Sequence, residues 1–265
     1  MVRIAFIPGD GIGVEVTAEA LRSELEQSRA RLSVASFIVN MFVMMAAYSL
    51  SLSALELLSP ENRPSRTVHS AVVIFAAVVP LYIMIRRSAY PVASYGLTWV
   101  GWPEVLWRSF LYSCPVMGLI LVVKAVWIWL DPRLSAEPLF NVAAMFGSKP
   151  FDAGYFAFAV VIYVVFSPIQ ELFARSALQG SLEKFLSAPA RGANWSAILL
   201  SNLMFASAHT HIGFYFCLAA FVPGLFWGWL YDRQRSLLGA TLSHIVVGVW
   251  ALFVVGIQTL IIKSG

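Results

Sequence analysis

The chain alternates long apolar runs with short segments rich in charged and turn-forming residues. An apolar run of about 20 residues is long enough for a helix to cross the hydrocarbon core of a bilayer. The pattern therefore predicts an all-α membrane protein, a bundle of about seven transmembrane helices, of which the fifth is short. The predicted spans are approximately Leu32–Leu58, His69–Ile85, Val105–Leu130, Gly154–Leu182, Asn194–His209, Phe214–Leu230 and Leu237–Ile262.

Composition supports a membrane protein and excludes two other classes. Apolar residues make up 59% of the 265 residues, charged residues only 12%, and the mean hydropathy is +0.77. A soluble domain would have to expose much of that apolar surface to water. Nucleic-acid binding is excluded because the basic residues are scattered singly and form no basic stripe. The two cysteines, Cys114 and Cys217, lie in apolar surroundings and fit buried thiols.

Lysine and arginine predict how the bundle lies in the membrane, because they accumulate on the cytoplasmic side. With the N-terminus cytoplasmic and the C-terminus outside, the inner segments contain Arg3, Arg22, Arg29, Arg31, Arg86, Arg87, Arg108, Lys184, Arg191, Arg233 and Arg235. The outer segments contain fewer, namely Arg63, Arg66, Arg133, Lys149 and Lys263. Tryptophans at the ends of predicted spans are typical of an aromatic belt: Trp127, Trp129, Trp195, Trp227 and Trp229.

The first residues differ in character from the rest of the chain. Ile4–Ile7 predicts a short strand, Gly9-Asp10-Gly11-Ile12-Gly13 a glycine loop, and Val14–Glu26 an amphipathic helix. Residues 1–22 resemble the opening of the isopropylmalate and tartrate dehydrogenase family, which begins with a strand and a similar Pro-Gly-Asp-Gly-Ile-Gly turn. The resemblance implies no NAD binding here, because a strand without a sheet cannot form a dinucleotide site.

These differences divide the chain in two. Residues 1–31 form a cytoplasmic N-terminal segment, a loosely held tail or an inner-face helix, that is not a functional dehydrogenase domain. Residues 32–265 form the polytopic membrane domain.

Ionisable residues inside predicted spans are candidate functional residues, because charge in a bilayer is costly. Glu56 and Lys124 lie near span ends, where long side chains can extend to the interface. The remaining candidates are Glu171, Arg175 and His244 within spans, His209 at the end of one, and the neighbouring amide Gln170. Glu171 and Arg175 are four residues apart on one helix face and are predicted to form an ion pair.

The depth of these residues predicts a single site. At a helical rise of about 1.5 Å per residue, Glu171 lies about 18 Å from Glu183, His209 about 21 Å from Trp195 and His244 about 13 Å from Arg235. All three reference points lie on the predicted inner side, which places Glu171, His209 and His244 near mid-membrane. We therefore expect them to converge on one water-accessible cavity.

A carboxylate with two histidines supports two kinds of hydrolytic chemistry. In a metal-free reaction, Glu171 acts as general base on a water, His209 holds the water or shares the proton, and His244 stabilises the oxyanion. In a metal-dependent reaction, Glu171, His209 and His244 bind a catalytic zinc ion with an open position for water. We favour no metal, because a glutamate paired with Arg175 is a poor donor to a cation, and we keep zinc as the alternative.

Three motifs carry a resemblance to a known family. They are Gln170-Glu171-Leu172-Phe173-Ala174-Arg175, Phe205-Ala206-Ser207-Ala208-His209 and His244-Ile245-Val246-Val247-Gly248. In order and spacing, over about 151–262, these resemble the CPBP family of CAAX-protease and bacteriocin-processing intramembrane endopeptidases, also called Abi. The family pattern is Glu-Glu-xxx-Arg, then Phe-xxx-His, then His-xxx-Asn or Asp.

That resemblance implies a helical intramembrane peptidase with its site at Glu171, Arg175, His209 and His244. Two positions depart from the pattern. Gln170 replaces the glutamate usually taken as the water-activating base, and Gly248 removes a side-chain oxyanion donor. Either Glu171 has taken over the base role, or the protein is a catalytically impaired relative.

The leading hypothesis is an endopeptidase that hydrolyses a peptide bond of a membrane-inserted or lipidated substrate. The alternative is an impaired relative that acts as a membrane peptide-binding, lipid-binding or scaffold protein. A transporter is a third hypothesis, disfavoured because neither an inverted repeat nor paired broken helices are visible. The expected partners are membrane lipid and a peptide substrate, without nucleic acid or NAD.

Overall fold

The protein is a bundle of seven helices over the part of the chain that the structure describes. The computed structural model describes residues 18–58, 65–186 and 193–260. The helices are α1 Ala18–Ala54, α2 Arg66–Arg87, α3 Trp102–Leu130, α4 Ala153–Phe185, α5 Trp195–Ser207, α6 Phe214–Gln234 and α7 Leu237–Val255. Short 3₁₀ turns lie in the connections, and no strand occurs within the described ranges.

Six of these helices are long and apolar enough to cross a bilayer, which confirms the all-α membrane class. The exception is α5, which corresponds to the predicted span Asn194–His209. It has 13 residues and therefore extends only about 20 Å, less than the hydrocarbon thickness of about 30 Å. The helix ends at Ser207, so His209 lies in the turn that follows it. Which side of the membrane each end faces remains a prediction.

The first helix joins two segments that the sequence pattern predicts separately. From Ala18 onward, the amphipathic helix expected over Val14–Glu26 and the span expected from Leu32 form one continuous helix of 37 residues. The two join because no glycine or proline interrupts the helix between Ala18 and Ala54. The predicted strand and glycine loop lie outside the described residues.

Two helices contain π-helical segments that sequence periodicity did not predict. In α4, an α-helical part Ala153–Glu171 continues as a π-helix over Leu172–Gln179 and as an α-helix over Gly180–Phe185. In α7, the last turns over Val249–Val255 are π-helical. Such segments widen the helix locally and frequently occur at functional sites.

The polar core lies among the later helices. Helix α7 packs against α3, α4 and α6, while α5 packs against α6 and the π segment of α4. An apolar cluster joins α1 and α2 to the end of α4 through residues that include Phe37, Leu81 and Leu178. Many large apolar side chains on the outer faces remain exposed, which suits contact with lipid tails.

Lys124 departs from the prediction that it extends to the membrane interface. Its side chain is fully buried, and its Nζ donates a hydrogen bond to the carbonyl oxygen of Val255 at 2.6 Å. The end of α7 thus gives the ammonium group a partner inside the protein, and the helix C-terminus carries a partial negative charge that favours a cation. The side chain of Glu56 lies outside the described residues.

Candidate active site

The centre of the site is Glu171, whose two carboxylate oxygens contact different partners. Its Oε2 accepts a hydrogen bond from Nε of Arg175 at 3.1 Å, which confirms the predicted ion pair. Its Oε1 lies 2.8 Å from Nδ1 of His244 on α7. Glu171 and Arg175 have no exposed surface, and His244 is 3% exposed. A buried carboxylate is tolerated only when it is paired in this way.

The contact with Glu171 determines which nitrogen of His244 is available. A carboxylate can only accept a hydrogen bond, so Nδ1 of His244 carries the proton and donates it. In the neutral ring, Nε2 is then the unprotonated nitrogen and a proton acceptor. The arrangement matches the general design in which a carboxylate orients an imidazole and stabilises its protonated form.

Arg175 is held by neutral groups as well as by Glu171. Its Nη2 donates to the carbonyl oxygen of Gly224 at 2.9 Å and to Oδ1 of Asn202 at 3.4 Å. Gly224 is required for this approach, because a Cβ at that position would lie 2.0 Å from Oδ1 of Asn202. Asn202 is held in turn, since its Nδ2 donates to the carbonyl oxygen of Phe221 at 2.7 Å.

The polar contacts continue along α4 beyond the predicted site. Nη1 of Arg175 donates to Oε1 of Gln179 at 3.4 Å, and Nε2 of Gln179 donates to Oε1 of Glu183 at 3.0 Å. Glu183 forms an ion pair with Arg235, whose side chain is 53% exposed. We call Glu171, Arg175, Gln179 and Glu183 the α4 ladder. The spacing of four residues was readable in the sequence, but Gln179 and Glu183 carried no recognisable motif.

Aromatic rings enclose His244. Trp227 of α6 stacks on the imidazole with ring centroids 3.8 Å apart and planes at 13°. Phe205 and Tyr163 approach the imidazole edge-on, with ring centroids at 5.9 Å and 5.8 Å. Assigning Trp227 to the aromatic belt was therefore wrong, because the side chain is 4% exposed and its centroid lies over the site. Among the described residues, no partner bonds to Nε1 of Trp227.

His209 lies beside this cluster without joining it. Its Nδ1 donates to the carbonyl oxygen of Phe205 at 2.8 Å, and its ring lies 4.8 Å from the Phe205 ring. The Phe205 ring thus contacts both imidazoles. Gln170 is half-buried, and its side chain makes no hydrogen bond with another residue of the described ranges.

Tyr48 of α1 holds the turn that carries His209, a contact that sequence reasoning missed. The Tyr48 hydroxyl donates to the carbonyl oxygen of Ala208 at 3.1 Å and lies 3.2 Å from Nδ1 of His211. It also contacts Oγ of Ser70 on α2 at 3.0 Å. No spacing rule links residues so far apart in the chain, so only the fold reveals the contact.

The predicted water-accessible cavity is not open around Glu171. Rings of Trp227, Phe205 and Tyr163 fill the space beside His244, and Glu171 itself is fully buried. A surface groove lies elsewhere, against α3, and is lined by residues that include Val126, Trp127 and Arg133.

The donor atoms do not fit the alternative zinc site. No group of three His, Cys, Asp or Glu side chains in the described part of the chain is placed to hold a metal ion. Glu171 directs one oxygen at Arg175 and the other at Nδ1 of His244, and Nδ1 of His209 faces a backbone carbonyl. These atoms face one another or the backbone instead of a common centre.

Comparison with known proteins places the site inside a recognised family pattern. Residues 152–250 match the family described as type II CAAX prenyl endopeptidase Rce1-like. The match begins just before α4, ends within α7, and contains all the candidate site residues. No curated protein and no solved structure matches the chain. This similarity supports a membrane endopeptidase of the CAAX-protease type.

Proposed function

We propose that the protein is an intramembrane endopeptidase that hydrolyses a peptide bond of a membrane-inserted or lipidated substrate. The single observation that carries the proposal is the contact between Glu171 and His244, with Arg175 on the other oxygen of the carboxylate. Three interacting ionisable groups, two of them fully buried and the third 3% exposed, are costly in a bilayer, and a purely structural bundle has no need of them.

In this mechanism His244 is the general base and Glu171 orients it. Both oxygens of Glu171 are occupied, so the carboxylate is less suited to take a proton from water than sequence alone suggests. Nε2 of His244 accepts a proton from a water while the water oxygen attacks the scissile carbonyl carbon. Glu171 stabilises the imidazolium that forms, and His244 then returns the proton to the leaving amine.

His209 and Gln170 have supporting roles in the proposal. With Nδ1 of His209 donating to Phe205, the other nitrogen of the ring is an acceptor that can hold the attacking water. The amide of Gln170 can donate and accept hydrogen bonds but has no pKa near neutrality, so it orients groups without moving protons.

The substrate class follows from the family similarity and from the surroundings of the site. The matched family is described as acting as a prenyl endopeptidase on CAAX sequences. A prenylated C-terminal peptide enters from the lipid phase, and the outer faces of the bundle are apolar. We propose lipidated peptides as the substrate class on that basis.

The test uses the purified protein in proteoliposomes with a quenched fluorogenic peptide that ends in farnesyl-Cys-Val-Ile-Ser. Wild-type protein should cleave the peptide, and His244→Ala and Glu171→Gln should each lower kcat on the order of 10²–10⁴-fold. Arg108→Ala, an exposed change on α3, serves as the control for expression and reconstitution. Full turnover by Glu171→Gln would exclude this mechanism.

Two further arms separate the remaining alternatives. Gln170→Glu should leave turnover intact or raise it, since the change removes no recorded hydrogen bond and adds a carboxylate beside Glu171. EDTA should leave turnover unchanged in the metal-free mechanism, whereas a loss restored by Zn²⁺ would favour the metal-dependent one.

A second candidate function is peptide or lipid binding without turnover. It is favoured by Gln170, which stands where the family pattern has a glutamate, and by the closed surroundings of Glu171. Saturable binding of the farnesylated peptide by wild-type protein, without cleavage in wild-type or Gln170→Glu protein, would support binding and exclude hydrolysis.

A further inference from the structure

Gly248 and Tyr163 share one position in the site. A Cβ built on Gly248 would lie 1.7 Å from the hydroxyl oxygen of Tyr163 and 2.4 Å from its Cζ. The phenol of Tyr163 on α4 therefore occupies the volume that a side chain of residue 248 would take. Gly248 follows His244 by four residues, so that volume lies on the face of α7 that carries His244.

The Tyr163 hydroxyl makes one long hydrogen bond to the backbone of α7 and also interacts with the side chain of Ser167. It donates to the backbone carbonyl oxygen of His244 at 3.5 Å, at the limit of a hydrogen bond. The ring meets the imidazole of His244 at 71° and packs against Phe253. A tyrosine hydroxyl rotates about its C–O bond, so this donor can turn to a stronger acceptor when one arrives.

The proposed hydrolysis needs such a donor. Attack of water on the scissile carbonyl moves an electron pair onto the carbonyl oxygen, and preorganised donors stabilise that oxyanion. Arg175 is already committed to Glu171, Gly224 and Asn202. The indole of Trp227 is nearly parallel to the imidazole of His244. Its N–H therefore lies in a plane parallel to the imidazole ring and does not point towards that ring.

We propose that Tyr163 is a catalytic residue whose hydroxyl donates a hydrogen bond to the oxyanion of the tetrahedral intermediate. This inference rests on the proposed function. The new bond joins the water oxygen to the carbonyl carbon, and the water proton passes to Nε2 of His244. Tyr163 keeps its own proton throughout. When the C=O bond reforms, the C–N bond breaks and His244 protonates the leaving nitrogen.

The first experiment compares hydroxyl-deleting variants with the farnesylated fluorogenic peptide. Tyr163→Phe should lower kcat on the order of 10²-fold with little change in KM, because the lost interaction exists only in the transition state. Tyr155→Phe is the matched control, since Tyr155 lies on the same helix with 56% of its surface exposed. Trp227→Phe should lower kcat less than Tyr163→Phe does, and the reverse order would assign the donor to Trp227.

The second experiment moves the hydrogen-bond donor from residue 163 on α4 to residue 248 on α7. Gly248→Asn alone should inactivate the protein, because the new side chain collides with Tyr163. In Tyr163→Ala/Gly248→Asn, the asparagine amide has room, and kcat should rise at least tenfold above that of Tyr163→Ala. Equal kcat values of Tyr163→Ala and Tyr163→Ala/Gly248→Asn would argue against a shared position for the donor.

The third experiment separates failure of this inference from failure of the proposed function. Its probe is a phosphinic analogue of the same farnesylated peptide, a tetrahedral mimic of the intermediate. Tyr163→Phe should weaken binding of the phosphinate on the order of 10²-fold, while binding of the amide peptide stays unchanged.

The outcomes are distinct. If wild-type protein cleaves the peptide and Tyr163→Phe cleaves it equally well, only the role of Tyr163 is overturned. If wild-type protein does not cleave the peptide but binds the phosphinate through Tyr163, the proposed hydrolysis is overturned and the catalytic role of Tyr163 with it, and Tyr163 is then a residue that binds ligands. If wild-type protein neither cleaves the peptide nor prefers the phosphinate, both proposals are overturned.

Discussion

Helices α4 to α7 and helices α1 to α3 both bury polar side chains, but they bury different kinds. In the later helices, beside buried serines and amides, the buried groups include ionisable side chains that are linked to one another, as in the α4 ladder and its contact with His244. In the earlier helices, they are mainly hydroxyl groups, with Lys124 as the buried cation. The later helices therefore contain a linked ionic core, and the earlier helices do not.

The earlier helices use their polar groups to attach to the later ones. Tyr48 of α1 contacts the turn at Ala208, and Lys124 contacts the end of α7. Two serines of α3 add further links, since Ser109 donates to Gln234 and Ser113 contacts Ser243 at 2.7 Å. Each link is a separate hydrogen bond, so we expect that losing one affects the protein less than breaking the linked core.

The largest effect is expected when the linked core is broken. Arg175→Met leaves Glu171 buried without its cation, which should lower the free energy of unfolding by about 3–5 kcal/mol. Thermal unfolding in detergent measures this change. Replacing both partners, as in Arg175→Met/Glu171→Leu, should recover much of the stability without recovering turnover. A single variant as stable as wild type would show that the pair does not support the fold.

An intermediate effect is expected at the buried cation of the earlier helices. Lys124→Met leaves the carbonyl oxygen of Val255 without its donor and removes the positive charge near Glu137, which should cost about 1–3 kcal/mol. Peptide cleavage should persist, because Lys124 does not contact the α4 ladder. Loss of turnover at unchanged stability would contradict the division between the two groups of helices.

A smaller effect is expected where α1 holds the turn after α5. Tyr48→Phe removes one hydroxyl and should lower stability by about 1 kcal/mol. Because that hydroxyl contacts Ala208 and His211, hydrogen–deuterium exchange should rise in residues 208–213 and not in α4. Uniformly raised exchange would mean that Tyr48 supports the whole bundle and not this turn.

The smallest effect is expected at an exposed ion pair. Arg108 and Glu104 on α3 form a salt bridge with side chains 59% and 67% exposed. Arg108→Ala should therefore change the free energy of unfolding by less than about 1 kcal/mol. A loss of stability as large as that of Arg175→Met would contradict the view that burial explains why the Arg175–Glu171 pair contributes more than the Arg108–Glu104 pair.

Helical spacing allowed part of the site to be predicted from sequence. Glu171 and Arg175 are four residues apart, and a helix brings such residues together regardless of the rest of the fold. The length of the apolar runs located the helices themselves, although it did not show that the first span continues the helix before it. The catalytic roles of these residues, and of His209 and His244, stay predictions.

The remaining features depend on contacts between helices, which the spacing of residues along the chain cannot predict. Tryptophan at the end of a predicted span is typical of an aromatic belt, so the sequence favoured a belt position for Trp227. Only the packing of α6 against α7 stacks its indole on the His244 imidazole. Lys124 has the length to reach the interface, but the end of α7 gives it a closer partner. No sequence pattern indicated a role for Tyr163, because its ring occupies the space that a side chain at Gly248 would take.

The π-helical segment of α4 controls which neighbour each half of that helix meets. Before it, Tyr163 and Glu171 contact α7; at its last residue, Gln179 donates to the carbonyl oxygen of Gly228 on α6 at 2.9 Å. If the same residues formed a regular α-helix, which completes a turn in 3.6 residues, the second half of α4 would turn relative to the first. Either α6 or α7 would then lose its partner, so the wider turns of this segment are as strict a requirement of the sequence as any side chain in it.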